Sequence, residues 1–365
     1  MHVGKPGEML EYLKRKYAGK RVFLTGHTGF KGSWLLKVLS MAGAEVRGYS
    51  LAPQNTSDLY FALNGDSLCD SVIADLRDQQ AIVKAIGEFK PDYIFHLAAQ
   101  ALVRPSYEFP SETFSVNAIG TAHLLDCVRL LKDGCYTVLI TTDKVYHNNE
   151  WVYPYRETDR LGGYDPYSAS KACSELVIDS YRKSFFSTND FEIHRKAIAV
   201  ARAGNVIGGG DWSRDRLIPD IIRALSKGNA VKIRNPNSVR PWQHVLEPLW
   251  GYLLLGAKLT ENPQQFSQAY NFGPELKDAL PVIDMVELAI ADWGGGDYIL
   301  DQDEQPHEAG LLKLDISKAA NELNWLPRMS AEKAIQNTVS WYKKYLEDPS
   351  KISKYTEEQI IEFFS

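Results

Sequence analysis

The stretch Arg21-Val-Phe-Leu-Thr-Gly-His-Thr-Gly-Phe-Lys-Gly32 constrains the fold of this chain more than any other. β-prone residues run into Gly26, Gly29 and Gly32, and Ser33-Trp-Leu-Leu-Lys-Val-Leu39 then takes up helical periodicity. A strand, a tight glycine turn and a helix N-terminus together suit a dinucleotide pyrophosphate, because the first helical N–H groups lack intrahelical acceptors and point at the anion. In such a turn Gly26 permits the bend, Gly29 lets the backbone approach the phosphates, and Gly32 lets helix pack on strand. The spacing G-x-x-G-x-x-G is one residue wider at its first gap than the dehydrogenase G-x-G-x-x-G. Alone, such a triplet is often only a turn. Placed directly after a strand near the start of a long α/β chain, it favours a bound cofactor.

Strands are predicted at 44–49, 70–75, 91–97, 136–140 and 198–202, helices at 78–89, 112–131 and 164–186, and a polar loop at 53–65. The alternation suits right-handed crossovers and an α/β fold, a Rossmann-type doubly wound parallel sheet. Beyond residue 202 the pattern loosens into short elements rich in Pro, Trp and Arg, as expected of a smaller, discontinuous C-terminal substrate-binding lobe. The expected division is an N-terminal extension at 1–18, a cofactor domain at 19–201 with a return around 240–262, a lobe at 202–239 and 263–350, and a tail at 351–365. The second strand ends without the Asp or Glu that grips an adenosine ribose, so this feature leaves NAD and NADP both open; Arg47 reads as mid-strand. His96, inside an apolar strand, reads as a packed core histidine.

The length of 365 residues allows a large core and two lobes. A net charge of −5 gives no reason to expect nucleic acid or an anionic membrane as partner. Cys69, Cys127, Cys135 and Cys173 lack C-x-x-C spacing and read as free thiols of a reducing compartment. The N-terminus has no signal-peptide core, and no apolar run approaches the ~20 residues that span a bilayer. A cytoplasmic protein is expected. Residues 351–365 end in an apolar run suited to a docked helix.

Tyr167-Ser-Ala-Ser-Lys171 sets a phenol and an ammonium on one face of a helix start. A phenol with a pKa of ~10 is a poor base, but a neighbouring cation favours phenolate and lets Tyr167 deprotonate a hydroxyl. The pair alone is weak evidence. It gains force from Thr141-Thr-Asp-Lys144 at the end of the intervening strand. Alcohol oxidation needs only a hydroxyl donor there. Asp143 and Lys144 are surplus unless protons also move at neighbouring carbons, as α,β-elimination of water requires.

With these segments the chain resembles the extended short-chain dehydrogenases/reductases of the nucleotide-sugar dehydratase group, and within it those acting on CDP-glucose. The resemblance covers about residues 20 to 345. Its other carriers are Leu97-Ala-Ala-Gln100, Gly163-Tyr-Asp-Pro-Tyr-Ser168, Arg202-Ala-Gly-Asn-Val-Ile-Gly-Gly-Gly-Asp-Trp212, Asp215-Arg-Leu-Ile-Pro-Asp220, Arg240-Pro-Trp-Gln-His-Val245 and Tyr270-Asn-Phe-Gly-Pro274. Many such dehydratases have Thr-Asp-Glu where this chain has Thr142-Asp143-Lys144; the Lys resembles the CDP-glucose enzymes, although some UDP-N-acetylglucosamine dehydratases share it.

The resemblance implies NAD as cofactor, met by Gly26, Thr28, Gly29, Phe30, Lys31, Gly32, Asp75, Leu76, Leu97, Ala98, Ala99, Gln100, Asn117, Tyr167 and Lys171. It implies CDP-glucose as substrate, met by Arg104, Asn205, Arg216, Arg240 and His244, with Arg216 and His244 the weaker candidates. Tyr167 would deprotonate the C4 hydroxyl and Lys171 assist it. Thr142 would polarise the new ketone, Lys144 take the C5 proton and Asp143 protonate the departing C6 hydroxyl; which of the last two is acid and which base stays open. Trp212 and Trp242 could flank the base or sugar, or simply pack. No metal is implied, since His307-Glu308 has ligand residue types without ligand spacing. A homodimer or dimer of dimers is implied, the helices at 112–131 and 164–186 pairing as a four-helix bundle. The alternatives are a dehydratase or epimerase for another nucleotide sugar, or a non-catalytic dinucleotide sensor.

Overall fold

Apolar runs such as Val22-Phe-Leu24, completely buried, belong to strands covered on both faces, and the computed structural model builds a parallel sheet from them. It describes residues 7–301 and 310–365, so His307-Glu308 and the first six residues lie outside it. The strands are β1 (Arg21–Thr25), β2 (Glu45–Ser50), β3 (Asp70–Ile73), β4 (Tyr93–His96), β5 (Cys135–Ile140), β6 (Lys196–Ala203) and β7 (Ala269–Phe272). Their order is β7-β6-β5-β4-β1-β2-β3, every pairing parallel. The chain runs outward from β1 in one direction and from β4 in the other. The crevice between the ends of β1 and β4 is therefore the switch point where ligands of such sheets bind.

Side chains alternate between the two faces of each strand. Leu24 and Phe95 join one core, with helices Phe30–Met41 and Leu246–Glu261, whereas Phe23 and Ile94 join the other. That second core is closed by helices Gln79–Phe89, Gly120–Leu130 and Pro166–Phe185 through Ile82, Leu124 and Ile178. Both ends of the described chain join the first core. Tyr17 of helix Glu8–Tyr17 donates its hydroxyl to the Leu253 carbonyl at 2.6 Å, and helix Ile352–Phe364 buries Ile360, Phe363 and Phe364. Among the described residues no helix is long and apolar enough to cross a membrane, and all four cysteines are free thiols.

Several expected boundaries move. The polar loop at 53–65 holds a short helix, Leu59–Ala62, because Leu59 and Tyr60 are buried. The helix expected at 112–131 is Pro110–Phe114, a π-turn at Ser115–Ile119, and Gly120–Leu130, preceded by an unforeseen helix, Val103–Glu108. The helix expected from 164 begins at Pro166, where Asp165 accepts from the Ser168 N–H at 2.9 Å and proline takes the first helical position. Ala269–Phe272, placed in the substrate lobe by the sequence, is instead the seventh strand of the main sheet; its four residues are too few for a period to register. The expected return at 240–262 corresponds to helix Leu246–Glu261, which covers β5 and β6.

Candidate active site

Gly26 has φ +75°, and a Cβ on it would come 2.8 Å from the Ala98 nitrogen; one on Gly32 would come 1.9 Å from the Gly26 oxygen. Backbone thus touches backbone where β1, β4 and helix Phe30–Met41 converge. Gly29 is the N-cap of Phe30–Met41 with no capping side chain and no acidic residue in the first turn, which leaves that helix end to an anionic ligand. The Thr28 hydroxyl lies 2.9 Å from both the Ser50 hydroxyl and the Leu51 carbonyl, joining the turn to the end of β2. These residues fit a dinucleotide.

The remaining expected cofactor positions are spread around this cradle. Asp75 is forked by Arg77 at 2.6 Å, whose charge holds the carboxyl below its usual range, and Leu76 packs under Gly120. Asn117 lies in the π-turn. Its amide accepts from the Gln100 N–H at 2.8 Å and donates to the Gln100 carbonyl at 3.0 Å and the Ser170 hydroxyl at 2.8 Å. Its carbonyl accepts from Thr121 and Ser174, so the π-turn pins Leu97–Gln100 to the Tyr167 helix. His96 is a core residue, 2.8 Å from the Thr25 hydroxyl and 3.3 Å from that of Thr121; burial lowers it to about 3 and keeps it neutral. Lys31 reaches Tyr252 at 3.4 Å, and burial beside Arg216 and Lys171 lowers it to about 7.

Asp143 and Lys144 open a 3-10 turn, Asp143–Val145, just after β5, and Thr142 caps it, its hydroxyl accepting from the Lys144 N–H. Asp143 is completely buried. One of its oxygens accepts from the Thr142 hydroxyl at 2.9 Å and the Lys144 ammonium at 3.0 Å; the other has no partner among the described residues and faces Gly204. Lys144 also donates to the Asn205 side-chain oxygen at 3.1 Å. Beside Thr142, Tyr167 is buried, which pushes its phenol up to about 12 against the opposing pull of the Thr142 hydrogen bond and Arg216. Lys171 donates to the Ile140 carbonyl at 3.0 Å; burial lowers it to about 8, with Glu175 one turn on resisting the fall.

Of these groups Thr142, Lys144, Tyr167 and Asn205 face a cavity of about 840 Å³, whereas Asp143 and Lys171 are buried and do not line it. Lys31, Thr142, Lys144, Tyr167 and Asn205 line one end, and Arg104, Arg216 and Arg240 also reach it. Arg216 is paired with Asp211 at 2.9 Å and Arg104 with Asp215 at 3.4 Å. His244, expected at the substrate, is a correction. It is completely buried, lies edge-on to Trp34 and does not line the cavity, because its strand turns the ring into the core. Trp242 does line it, its indole N–H donating to the Leu280 carbonyl, whereas Trp212 packs on Tyr342 and Tyr345. Lys232, Arg234 and Asn235 also reach the cavity and were missed; their only signal was local basic density, without motif spacing. Arg202 and Glu175, buried behind the turn, were missed as a pair.

A family model described as GDP-mannose 4,6 dehydratase matches residues 23–265. A CDP-glucose 4,6-dehydratase of Salmonella typhimurium is 48% identical over 334 residues, covering 91% of this chain and 93% of the relative. Among solved structures, a dTDP-glucose 4,6-dehydratase from Streptomyces venezuelae, determined with NAD bound, superposes with a TM-score of 0.77 at 25% identity, over 91% of this chain and all of that one. A UDP-glucose 4-epimerase from Thermotoga maritima shares the fold with a TM-score of 0.77 at 22% identity, over 89% of this chain and 99% of that one. The family match takes in the glycine turn, the Thr142–Lys144 turn and the Tyr167 helix, and the chain belongs to the GDP-mannose 4,6 dehydratase family.

Proposed function

We propose that this chain is an NAD-dependent 4,6-dehydratase that converts CDP-D-glucose to CDP-4-keto-6-deoxy-D-glucose and water. The observation that carries the reading is an acid–base pair, Asp143 and Lys144, held beside Thr142, whose side chain adjoins Tyr167, in a chain 48% identical to a CDP-glucose 4,6-dehydratase. The glycine cradle, with Leu97–Gln100 and Lys171, would hold NAD, whose nicotinamide would supply a hydride acceptor for C4 and a hydride donor for C6.

Tyr167 takes the proton of the C4 hydroxyl. Thr142 hydrogen-bonds the C4 oxygen as it becomes a carbonyl, which acidifies the C5 proton. Lys144 and Asp143 share a hydrogen bond, so a proton moved from ammonium to carboxylate leaves a neutral amine facing C5 and a carboxylic acid for the departing C6 hydroxyl. One proton transfer thus arms both partners. Arg104, Arg216 and Arg240 line the cavity, the first two paired with Asp215 and Asp211 and Arg240 donating to the Val239 and Gly310 carbonyls, and their charge suits a diphosphate.

The test is incubation with NAD and CDP-, UDP-, GDP- and dTDP-hexoses in deuterated water. CDP-glucose is expected to lose one water and gain one solvent deuterium. Dehydration of another donor would keep the mechanism and overturn the substrate; no mass change with any donor would overturn both in favour of an epimerase or a sensor. The enzyme is a cytoplasmic homodimer or dimer of dimers, paired through the helices that expose Ile119 and Leu176. Light scattering is expected to give at least twice the chain mass of 41.1 kDa, and a monomer at micromolar concentration would contradict it.

A further inference from the structure

Two opposite charges lie directly behind the catalytic wall, and no step of the reaction uses them. Arg202 near the end of β6 and Glu175 on the Tyr167 helix are almost wholly buried and paired by a two-point fork, at 2.8 and 2.9 Å. A buried ion pair contributes little net stability, since desolvation offsets its attraction, so the pair calls for an explanation other than holding the fold. Its remaining bonds supply one. Glu175 accepts from the Thr141 hydroxyl at 2.5 Å, next to Thr142. Arg202 donates to the Tyr146 hydroxyl at 2.8 Å, two residues beyond Lys144, and to the Glu157 carbonyl at 3.1 Å. Tyr146 in turn donates to Asn271 of β7. Three residues after Arg202, Asn205 accepts from Lys144.

We propose that Glu175 and Arg202 are positioning residues for the elimination, a rigid buried fork that fixes both ends of the Thr142–Lys144 turn against the helix carrying Tyr167 and Lys171. The proposal rests on the dehydratase reading. Thr141 and Tyr146 bracket the turn, and one ion pair holds both, so a shift of the fork moves Thr142 and Lys144 relative to Tyr167. Misplacement by about 1 Å costs about a hundredfold in rate. The fork also has an electrostatic effect. The charged groups around Lys171 are Glu175 on its own helix, Lys31 from the helix Phe30–Met41 and, beyond Glu175, Arg202; Tyr167 shares its helix and His96 of β4 is buried neutral. Removing the Glu175 charge disfavours protonated Lys171, so activity that depends on the cation is lost at lower pH.

The experiment compares the whole enzyme with Glu175→Gln and with the apolar double variant Glu175→Leu/Arg202→Met, which leaves no buried charge unpaired. The double variant is expected to keep the wild-type Tm within a few degrees and its KM for CDP-glucose within about threefold, while kcat falls about a hundredfold. Glu175→Gln is expected to move the alkaline limb of the kcat profile to lower pH. Hydrogen exchange over residues 141–147, read without substrate, is expected to speed up in both variants. Recovery of kcat together with Tm in the double variant, or unchanged exchange in that segment, would overturn the proposal. Should the wild type fail to dehydrate CDP-glucose, the dehydratase reading falls, and the exchange measurement still decides whether the fork holds the turn.

Discussion

Tyr167→Phe is expected to lower kcat for CDP-glucose by about 10²- to 10⁴-fold, roughly 3 to 5 kcal/mol of transition-state stabilisation, with little change in KM or Tm. The substitution removes one oxygen and leaves the ring where it packs, so the fold loses at most a hydrogen bond worth about 1 kcal/mol. The phenol is placed for proton transfer but is not ionised by the chain alone, because burial, Asp143 and Asp165 hold it up against the pull of Thr142 and Arg216. A bound oxidised nicotinamide would add a positive charge that favours the phenolate. Two readouts bear on this. Steady-state kinetics should show the kcat loss, and calorimetric titration should show NAD binding within a few-fold of wild type. Loss of both together would mean that Tyr167 organises the cofactor site rather than accepting a proton.

The parts of this site that were readable in the sequence are those in which chemistry and spacing lie on one local segment. The glycine turn after β1, the Tyr167–Lys171 helix start and the Thr142–Lys144 turn each confine their geometry within a few residues, so backbone periodicity alone places the side chains relative to one another. What escaped depends on distant partners. His244 has the residue type of a ligand, but its ring is packed by Trp34, 210 positions earlier. Arg234 reaches the cavity from the bend just after a three-residue strand, Val231–Ile233, too short for any period to announce. Arg202 and Glu175 are separated by 27 residues and join two different elements. The π-turn at Asn117 looks in sequence like continuous helix, because one extra residue in a turn leaves the apolar pattern almost unchanged. The strand β7 was lost for the same reason, since four residues carry too little pattern to separate a sheet edge from an irregular lobe. Local motifs identified the chemistry, and only the folded contacts show which residues support it.

Asp143→Asn and Lys144→Met are expected to halt the reaction at different points, and that difference assigns acid and base. Asp143 is completely buried, with one oxygen engaged by Thr142 and Lys144 and the other without a partner among the described residues. Asparagine keeps the shape but cannot pass a proton to the C6 hydroxyl. Dehydration should fall by about 10²- to 10³-fold, the range of a lost general acid. Without Asp143, Lys144 has to give its proton to solvent before it can take the C5 proton from the transient ketone, so substrate recovered from deuterated water at alkaline pH should carry deuterium at C5 without having lost water. In Lys144→Met the C5 proton is never removed. Product formation should fall by a similar factor, and recovered CDP-glucose should stay free of deuterium. The reverse pattern, with label in the Lys144 variant and none in the Asp143 variant, would exchange the two roles. Label in both would mean that C5 is deprotonated by another group; Tyr167, beside Thr142, would be the first to examine. The outcome turns on the bond between Lys144 and Asp143, since a proton can be held at either end of it and each variant removes one end.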